Sequence, residues 1–318
     1  MTKSPKISVV MSVYNGQDYV GGSIESILQQ SFKNFEFIII NDGSTDNSRS
    51  IINSFNDSRI RLLNQKNCGL AASLNRGISI SKSKIIARMD ADDIADINRL
   101  SIQHKFLVEN PAYSVVGSNV EIIDMKGEYI YTSNLPLTND QIISNFPKVP
   151  LYHSSVLFRK GHFIKAGKYP EYMLIAQDQI LFNRMKEFGK IHNIDVPLIK
   201  YRLVPYGNTS KNKLIINRIN AIVENAIKDD HIKEEDKHFL KNVMRSRRSQ
   251  DRLEDYYLFI AKKYLWNNYS PKDSRKNILN ALRYNKLNLS SYFLHIISWL
   301  PKEIILIIYN KIKLLKKS

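Results

Sequence analysis

The chain has 318 residues, of which 43% are hydrophobic and 24% charged, and its formal net charge is +17. This balance excludes global disorder and allows one large domain or two modest ones. The single cysteine, Cys68, excludes an intramolecular disulfide framework and favours a reducing compartment. Near the N-terminus, Lys3 and Lys6 precede only a short apolar run at 7–13, which is unlike a signal peptide. We therefore expect a cytoplasmic protein.

The positive charge is concentrated in the last third of the chain. Residues 1–210 carry 24 Lys and Arg against 19 Asp and Glu, whereas residues 211–318 carry 23 against 11. A basic segment of this kind contacts an anionic partner, which is nucleic acid or a membrane surface. The alternative is a basic helical surface that only contacts solvent. Basic clusters such as Arg245–Arg248 are typical of a solvated helix face, and we expect no nucleic-acid partner.

The first hundred residues alternate between short apolar, β-branched runs and segments in which apolar groups recur at helical spacing. The predicted strands are 7–13, 35–40, 59–63 and 85–89, and the predicted helices are 18–31, a segment capped by Ser44 or Thr45 that runs through Phe55, and 70–80. Strands that alternate with helices form right-handed βαβ units. The pattern therefore predicts an α/β fold with a mostly parallel central sheet.

Polar residues follow the ends of these predicted strands. Tyr14 and Asn15 follow the first strand, Asp42 comes just after the second, and an acidic turn at 90–93 follows the fourth. In parallel α/β sheets, ligands collect at the carboxyl ends of the strands. This convergence predicts a binding site at one edge of the sheet.

The rest of the chain contains further strands and then only helices. The predicted elements are two strands within 112–135, strands at 153–159 and 191–202, and a helix at about 176–188. From about residue 211 the pattern is helical and rich in lysine. We therefore expect a domain boundary near residue 211.

Three carboxylates, those of Asp90, Asp92 and Asp93, lie within four residues of one another. Like charges this close repel, and a hard cation with oxygen ligands, Mg²⁺ or Mn²⁺, stabilises such an arrangement. A metal there would neutralise a diphosphate leaving group. The alternative is the acidic N-terminus of a helix over 94–107, where the helix dipole favours carboxylates.

Three further residues have two interpretations each. Asp42 either accepts a hydrogen bond from a nucleobase ring N–H or acts as a turn or helix cap. Asp178 is either a general base or a helix cap or surface residue. His153 either lines an acceptor pocket or approaches the phosphates, or it is a satisfied structural histidine. The histidines show no metal-ligand spacing.

Several stretches, taken in order, resemble the inverting family 2 glycosyltransferases of bacterial surface-polysaccharide synthesis, which have a Rossmann-like GT-A fold. The stretches are ISVVMSVYNG (7–16), FEFIIINDGSTDNS (35–48), NCGLAASLNRGI (67–78) and IIARMDADDIADINRL (85–100), with weaker matches at 153–171, 176–185 and 199–210. The resemblance implies a GT-A domain over 5–210, with a nucleotide-sugar half at about 5–100 and an acceptor half at about 101–210. Residues 211–318 would form a basic helical extension.

The resemblance also implies roles for individual residues. The nucleotide sugar would be bound by Val13, Tyr14, Asn15, Asp42, Asn67, Asp90 and Ala91. Asp92 would be the principal metal ligand, with Asp90 as a candidate second ligand, and Asp93 would support the turn and the helix start. Asp178 would be the catalytic base. Gln177 replaces the Glu of the family's usual Glu-Asp pair, and His153 and Gln177 would support the site.

The implied reaction is a metal-dependent displacement with inversion, from a nucleoside-diphosphate sugar to a hydroxyl of a glycan or lipid-linked glycan. A UDP-sugar is the favoured donor, and capsule, exopolysaccharide or lipopolysaccharide synthesis is the implied setting. Two alternatives stay open on the residues alone. A sugar-nucleotide hydrolase or nucleotidyltransferase would share the metal site, and a non-catalytic sugar-nucleotide-binding partner subunit would explain Gln177.

The C-terminal segment 292–315 is apolar, aromatic and basic, and Pro301 interrupts it. Neither half reaches the roughly 20 residues needed to span a bilayer. Aromatic and lysine side chains together suit an interfacial helix pair on an anionic membrane surface, and the alternative is a helical cap packed on the protein. We expect a peripheral enzyme on the cytoplasmic face of the plasma membrane.

Overall fold

A computed structural model describes residues 4–205, 213–245 and 249–315. The strands and helices alternate over the first hundred residues, as the sequence predicts. The strands are β1 (Ile7–Val13), β2 (Phe35–Asp42), β3 (Ile60–Gln65), β4 (Ile85–Met89), β5 (Ile94–Ala95), β6 (Tyr113–Ile123), β7 (Tyr129–Thr132), β8 (Leu157–Arg159) and β9 (Lys190–Arg202).

The helices separate the early strands and make up most of the later chain. They are α1 (Val20–Leu28), α2 (Ser48–Asn53), α3 (Leu70–Ser79), α4 (Arg99–Glu109), α5 (Asn139–Ile143), α6 (Lys160–Lys165), α7 (Gln177–Met185), α8 (Lys213–Asp229), α9 (Glu234–Arg245), α10 (Ser249–Trp266), α11 (Pro271–Tyr284), α12 (Leu289–Ile297) and α13 (Lys302–Leu315). Short 3₁₀ turns occur at His153–Ser155 and Lys186–Phe188. The first of these turns replaces the beginning of the strand predicted at 153–159.

One mixed sheet contains the nine strands in the order β3-β2-β1-β4-β8-β6-β9-β5, with β7 paired to β6. The first four strands are parallel, because β1 pairs with β2 and β4, and β2 pairs with β3. The later strands add antiparallel pairs, β4 with β8, β6 with β8 and β7, and β5 with β9. The α/β fold class is confirmed, and its parallel half comes from the predicted βαβ units.

The register of the parallel strands brings their carboxyl ends to one edge. Val13 of β1 lies opposite Asn41 of β2, and Met11 lies opposite Met89 of β4. Every residue of β2 is buried, as is usual for parallel strands covered by helices on both faces. The residues that follow these strands therefore share one edge of the sheet.

By their contacts, the described residues divide into two compact units. The first unit extends to Val120, resumes over Ser133–Tyr201 and includes α8 and most of α9, up to Val243. Its helices α7, α8 and α9 share a buried apolar cluster that includes Ile180 and Val223. Composition predicts a boundary near residue 211, whereas the contacts assign the two helices that follow it to the first unit.

The second unit combines the β6–β7 hairpin residues Glu121–Thr132 with the helices from α10 to α13. Its core contains Leu265 of α10, Ile278 of α11, Leu294 of α12 and Ile305 of α13. Over the residues that the structure describes, none of the helices is sufficiently long and apolar to cross a membrane.

Candidate active site

The acidic turn follows β4 at the carboxyl edge of the parallel strands. Asp90, Asp92 and Asp93 each offer a carboxylate oxygen, and these oxygens lie within 4.8 Å of one another. Asp90 and Asp92 are partly exposed, whereas Asp93 is buried. Clustered carboxylate oxygens are the donors that Mg²⁺ and Mn²⁺ prefer, with water and phosphate completing the shell. The donor set of this turn therefore fits a divalent cation.

The helix predicted over 94–107 begins later than expected. β5 follows Asp93 directly and pairs with β9, and α4 starts only at Arg99. Asp93 therefore does not support a helix start, and the acidic turn is not a helix N-terminus. The backbone carbonyl of Asp93 accepts a hydrogen bond from Ser23 Oγ of α1 at 2.6 Å. Tertiary contacts hold this turn in place.

Two arginines are buried next to the acidic turn. Arg88 of β4 is 2% exposed and forms an ion pair with Asp90. Arg99 is fully buried and donates from Nη2 to the Arg88 carbonyl at 2.6 Å. Burial lowers the pKa of each guanidinium, but for Arg88 the negative charges of Asp90 and Asp93 outweigh burial and raise it. The two cations partly offset the repulsion among the three carboxylates.

Neither arginine was predicted from the sequence. A charged residue within the apolar stretch IIARM at 85–89 was the signal that could have found Arg88, because a buried charge requires a partner. The nearest carboxylate along the chain is Asp90, which is its observed partner.

The loop after β1 is fastened to the loop after β2. Asn15 adopts a left-handed φ of 50°; its backbone N–H donates to Ser44 Oγ at 3.1 Å, and its side-chain oxygen accepts from the Thr45 N–H at 2.8 Å. Ser44 and Thr45 therefore do not cap α2, which begins at Ser48. Val13 is buried, and the Tyr14 side chain is 55% exposed, so its ring is accessible to a ligand.

A second contact places this loop beside the acidic turn. Gly16, in the loop after β1, donates its N–H to Ser48 Oγ of α2 at 2.8 Å, and it is also a neighbour of Ala91 in the acidic turn. A Cβ at Gly16 would lie 3.7 Å from the Cβ of Ala91. The predicted nucleotide-binding residues after β1 and the turn after β4 are thus close in space.

Asp42, at the end of β2, is 2% exposed and has several hydrogen-bond donors around it. Its Oδ1 accepts from Gln65 Nε2 at 2.7 Å and from the Cys68 N–H at 2.9 Å, and its Oδ2 accepts from the Gly69 N–H at 2.9 Å. Gly69 immediately precedes α3, so Asp42 holds the start of that helix. These bonds support the turn or helix-capping interpretation of Asp42, and they occupy three of the roughly four acceptor positions of a carboxylate.

The exposed Asn67 lies on the loop that Asp42 holds. Gly43 has a φ of +76°, and a Cβ there would lie 2.7 Å from the backbone nitrogen of Asn67. Only glycine permits both this left-handed conformation and this close approach. The loops after β2 and β3 are therefore packed together next to Asp42.

Asp178 is the second residue of α7, after Ala176 in a left-handed conformation and the buried Gln177. Burial raises the pKa of Asp178; hydrogen bonding to the Gln179 backbone and the charge of Arg88 lower it, and the charge of Asp90 raises it. A carboxylate that responds to both Arg88 and Asp90 shares the electrostatic environment of the acidic turn. Asp178 therefore lies within electrostatic reach of Arg88 and Asp90.

His153 is held by a buried tyrosine. Its Nε2 lies 2.7 Å from the hydroxyl of Tyr169, and burial together with the charge of Arg88 lowers its pKa well below the usual value. A histidine that stays neutral does not offer a positive charge to a phosphate. The satisfied structural histidine is therefore the interpretation that this geometry supports.

Two further tyrosines, Tyr201 and Tyr152, pack together next to the site, and neither was predicted from the sequence. Tyr201, at the end of β9, packs its ring against Tyr152 with 5.0 Å between centroids. Burial raises the pKa of Tyr201, and the charges of Asp93, Asp90 and Asp92 raise it further. Tyr201 therefore lies close to the acidic turn, which no local pattern around residue 201 indicates.

The fold of this chain is similar to the folds of two solved proteins. The chain is similar to S. aureus TarS 1-349 in complex with UDP-GlcNAc, with a TM-score of 0.56 at 16% identity over 96% of this chain and 92% of that one. It is also similar to the mannosyltransferase PcManGT from Pyrobaculum calidifontis in complex with GDP-Man and Mn²⁺, with a TM-score of 0.51 at 15% identity over 92% and 79%.

Sequence comparison shows the family. The family model described as glycosyl transferase family 2 matches residues 8–167, which is half of the chain. An uncharacterized glycosyltransferase of Haemophilus influenzae is 32% identical over 231 residues, or 67% of this chain and 69% of that protein. The chain spans 33% to 47% of the length of three other glycosyltransferase relatives. The resemblance seen in the sequence is confirmed, and this chain belongs to glycosyl transferase family 2.

Proposed function

We propose that this enzyme transfers a sugar, with inversion, from a nucleoside-diphosphate sugar to a hydroxyl of a glycan or lipid-linked glycan. The observation that supports this most directly is the acidic turn at the carboxyl edge of the parallel strands, whose three carboxylate oxygens lie within 4.8 Å of one another. The pKa of Asp178 responds to the charges of Arg88 and Asp90, so a base and a metal-binding turn occupy one environment. A transferase needs both groups at one reaction centre.

The donor side would be formed by the loops after β1, β2 and β3. Tyr14 offers an exposed ring, the Asn15 loop adjoins the acidic turn, and Asp42 and Asn67 lie on the neighbouring loops. The solved TarS and PcManGT complexes hold UDP-GlcNAc and GDP-Man, which supports a nucleotide-sugar donor for this chain. Asp42 would accept a hydrogen bond from a ring N–H, which uracil, thymine and guanine all present, and among these donors we favour a UDP-sugar.

The divalent cation would be held by Asp92, with Asp90 and Asp93 contributing the remaining charge. Mn²⁺ in the PcManGT complex supports this proposal. When bound, the ion would stabilise the negative charge of a nucleoside-diphosphate leaving group. Arg88 would orient the carboxylate of Asp90 through their ion pair.

Asp178 would act as the base of a single displacement. Its carboxylate would take the proton of the acceptor hydroxyl while that oxygen forms a bond to the anomeric carbon. The bond from the anomeric carbon to the diphosphate oxygen would break, and the nucleoside diphosphate would leave with the electron pair. One displacement without a covalent enzyme intermediate inverts the anomeric configuration.

Release of nucleoside diphosphate distinguishes this proposal from its alternatives. We expect release from a UDP-sugar with Mn²⁺ to depend on an added glycan acceptor. A sugar-nucleotide hydrolase would release it equally without acceptor, and a non-catalytic binding subunit would bind the donor without releasing it. Either result would contradict the proposal.

A membrane-bound acceptor would suit the C-terminal unit. Phe293 and Ile296 of α12 are 59% and 66% exposed, and Trp299, just after this helix, is 67% exposed. Lys302 and Lys311 of α13 are exposed as well. Exposed aromatic and apolar side chains beside lysines favour an anionic bilayer surface. The proposed setting is surface-polysaccharide synthesis on the cytoplasmic face of the plasma membrane.

A further inference from the structure

The second unit contains a cavity of about 420 Å³ that none of the proposed catalytic residues lines. Its walls come from the β6–β7 turn and from α10 and α11, all within that unit. The lining consists of four tyrosines, three carboxylates, two lysines, two asparagines and one methionine. This volume lies within the roughly 300–1,000 Å³ of small-molecule sites in proteins.

The tyrosines of the cavity are held in place by their neighbours. The Tyr256 hydroxyl accepts a hydrogen bond from the Met125 N–H at 2.8 Å, which ties α10 to the β6–β7 turn. The Tyr257 ring lies edge-on to the Tyr256 ring, with 5.3 Å between their centroids, and stacks on the Tyr284 ring, with 6.0 Å between centroids. Tyr129, which also lines the cavity, is 47% exposed. Fixed aromatic rings provide flat apolar surfaces without the entropic cost of ordering them.

The three carboxylates of the cavity line it together with a buried phenol, that of Tyr264. Burial raises the pKa of Tyr264 to about 12, and the charges of Asp124, Asp273 and Glu128 contribute to the rise. Asp124 accepts from the backbone N–H groups of Lys126 and Glu128, at 2.8 and 2.9 Å, and so holds the turn. Glu128 and Lys276 are exposed and are available to a ligand. The cavity thus combines aromatic faces with hydrogen-bonding groups.

We propose that this cavity binds an uncharged or amino-bearing sugar unit of a glycan. A pyranose ring has an apolar C–H face, which packs on tyrosine rings, and a rim of hydroxyls, which bond to carboxylates, amides and ammonium groups. Three carboxylates against two lysines disfavour a nucleotide or an acidic sugar.

This inference rests on the proposed function and deepens it, because the bound sugar would belong to the acceptor glycan. A sugar bound there would keep the acceptor on the enzyme and leave donor binding unchanged. Longer acceptors would then have lower KM values than short ones at similar kcat. That difference is the kinetic signature of a separate acceptor site.

The test is saturable binding to the full chain by calorimetry and by ligand-observed NMR, without donor. The probes are glucose, N-acetylglucosamine, glucosamine and their β-linked di- to tetrasaccharides, with UDP and glucuronic acid as anionic comparisons. We expect a neutral or amino sugar to bind, and Tyr129→Ala and Glu128→Gln to weaken its binding by about threefold to tenfold. Both side chains are exposed, so these variants should fold. Tyr292→Ala removes an exposed tyrosine elsewhere in this unit and should change nothing.

Absence of sugar binding, equal binding by both cavity variants and the wild type, or a preference for UDP or glucuronic acid would each overturn the inference. The outcome is separable from that of the proposed function. Sugar transfer with an acceptor KM unchanged by Tyr129→Ala would remove the cavity site and leave the transferase standing. The converse is a wild type that binds sugar but has no transferase activity, with sugar binding lost in Tyr129→Ala. That result would keep the cavity site and remove the proposed transferase function.

Discussion

Arg88 links the residues proposed for the donor side and for the base. It forms an ion pair with Asp90, and its charge lowers the pKa of both Asp178 and His153. Removing one partner of a buried charge pair usually costs about 3–5 kcal/mol, because the other charge is left uncompensated. Arg88 thus acts as a positioning residue, whose effects should differ from those of a residue that contacts substrate.

The first prediction concerns the pH dependence of transfer. A base acts as its carboxylate, so activity should be lost as the pH falls through the pKa of Asp178. Because burial raises that pKa above the ordinary 3.8, we expect the acidic limb of kcat/KM to lie above the range of an exposed aspartate. The measurement is a pH–rate profile at fixed Mn²⁺. A profile that stays flat down to the ordinary aspartate range would contradict this role.

The second prediction concerns Arg88→Met. The guanidinium lowers the pKa of Asp178, so its removal should move the acidic limb to higher pH and reduce activity most at low pH. Arg61→Met removes a more exposed arginine that pairs with Glu36, and it should leave the limb in place. Equal pH–rate profiles for Arg88→Met and the wild type would show that Arg88 does not act through Asp178.

At the scale of elements, hydrophobic periodicity was sufficient for the parallel half of the sheet. β1 and β4 occupy the predicted ranges, because their apolar runs are continuous and bounded by turn residues. The start of α2 was misplaced, since Ser44 and Thr45 bond to Asn15, some 30 residues away. Likewise β5 exists only through its pairing with β9. Partners distant in sequence leave no local pattern.

The candidate site likewise has residues that the sequence predicts and residues that depend on distant partners. The carboxylates of Asp42, Asp90 and Asp178 could be predicted because each follows or lies among apolar residues. The residues that later elements bring next to the acidic turn, Arg99 and Tyr201, could not be predicted. The partners depend on how β4, α4 and β9 meet, and the spacing of residues along one element does not contain that information.

The third prediction concerns the exposed face of α12. A double variant, Phe293→Ser with Ile296→Ser, should lose flotation with vesicles that contain an anionic phospholipid, because burial of those side chains would provide the affinity. The matched control is Val108→Ser with Ile164→Ser, two apolar residues of the first unit that are 60% and 51% exposed. Undiminished flotation of the α12 variant would exclude this face as the membrane contact.

At the scale of the whole molecule, the residues proposed for catalysis and those proposed for accessory binding lie in different compact units. The first unit contains every residue proposed for donor, metal and base, including Asp178 on a helix that packs against α8 and α9. The second contains the sugar-binding cavity and the exposed face of α12. Substitutions in the second unit should therefore change acceptor or membrane binding while donor binding persists.

The central claim is that Asp178 is the base of a metal-dependent sugar transfer, and Asp178→Asn tests it most directly. The measurement pairs calorimetric titration of a UDP-sugar with Mn²⁺ against the rate of acceptor-dependent transfer. We expect unchanged donor affinity and a rate lowered by about 10²–10⁴-fold, the usual contribution of a general base. Asp229→Asn, an exposed carboxylate at the end of α8, should change neither quantity. Transfer by Asp178→Asn at the wild-type rate would contradict the account.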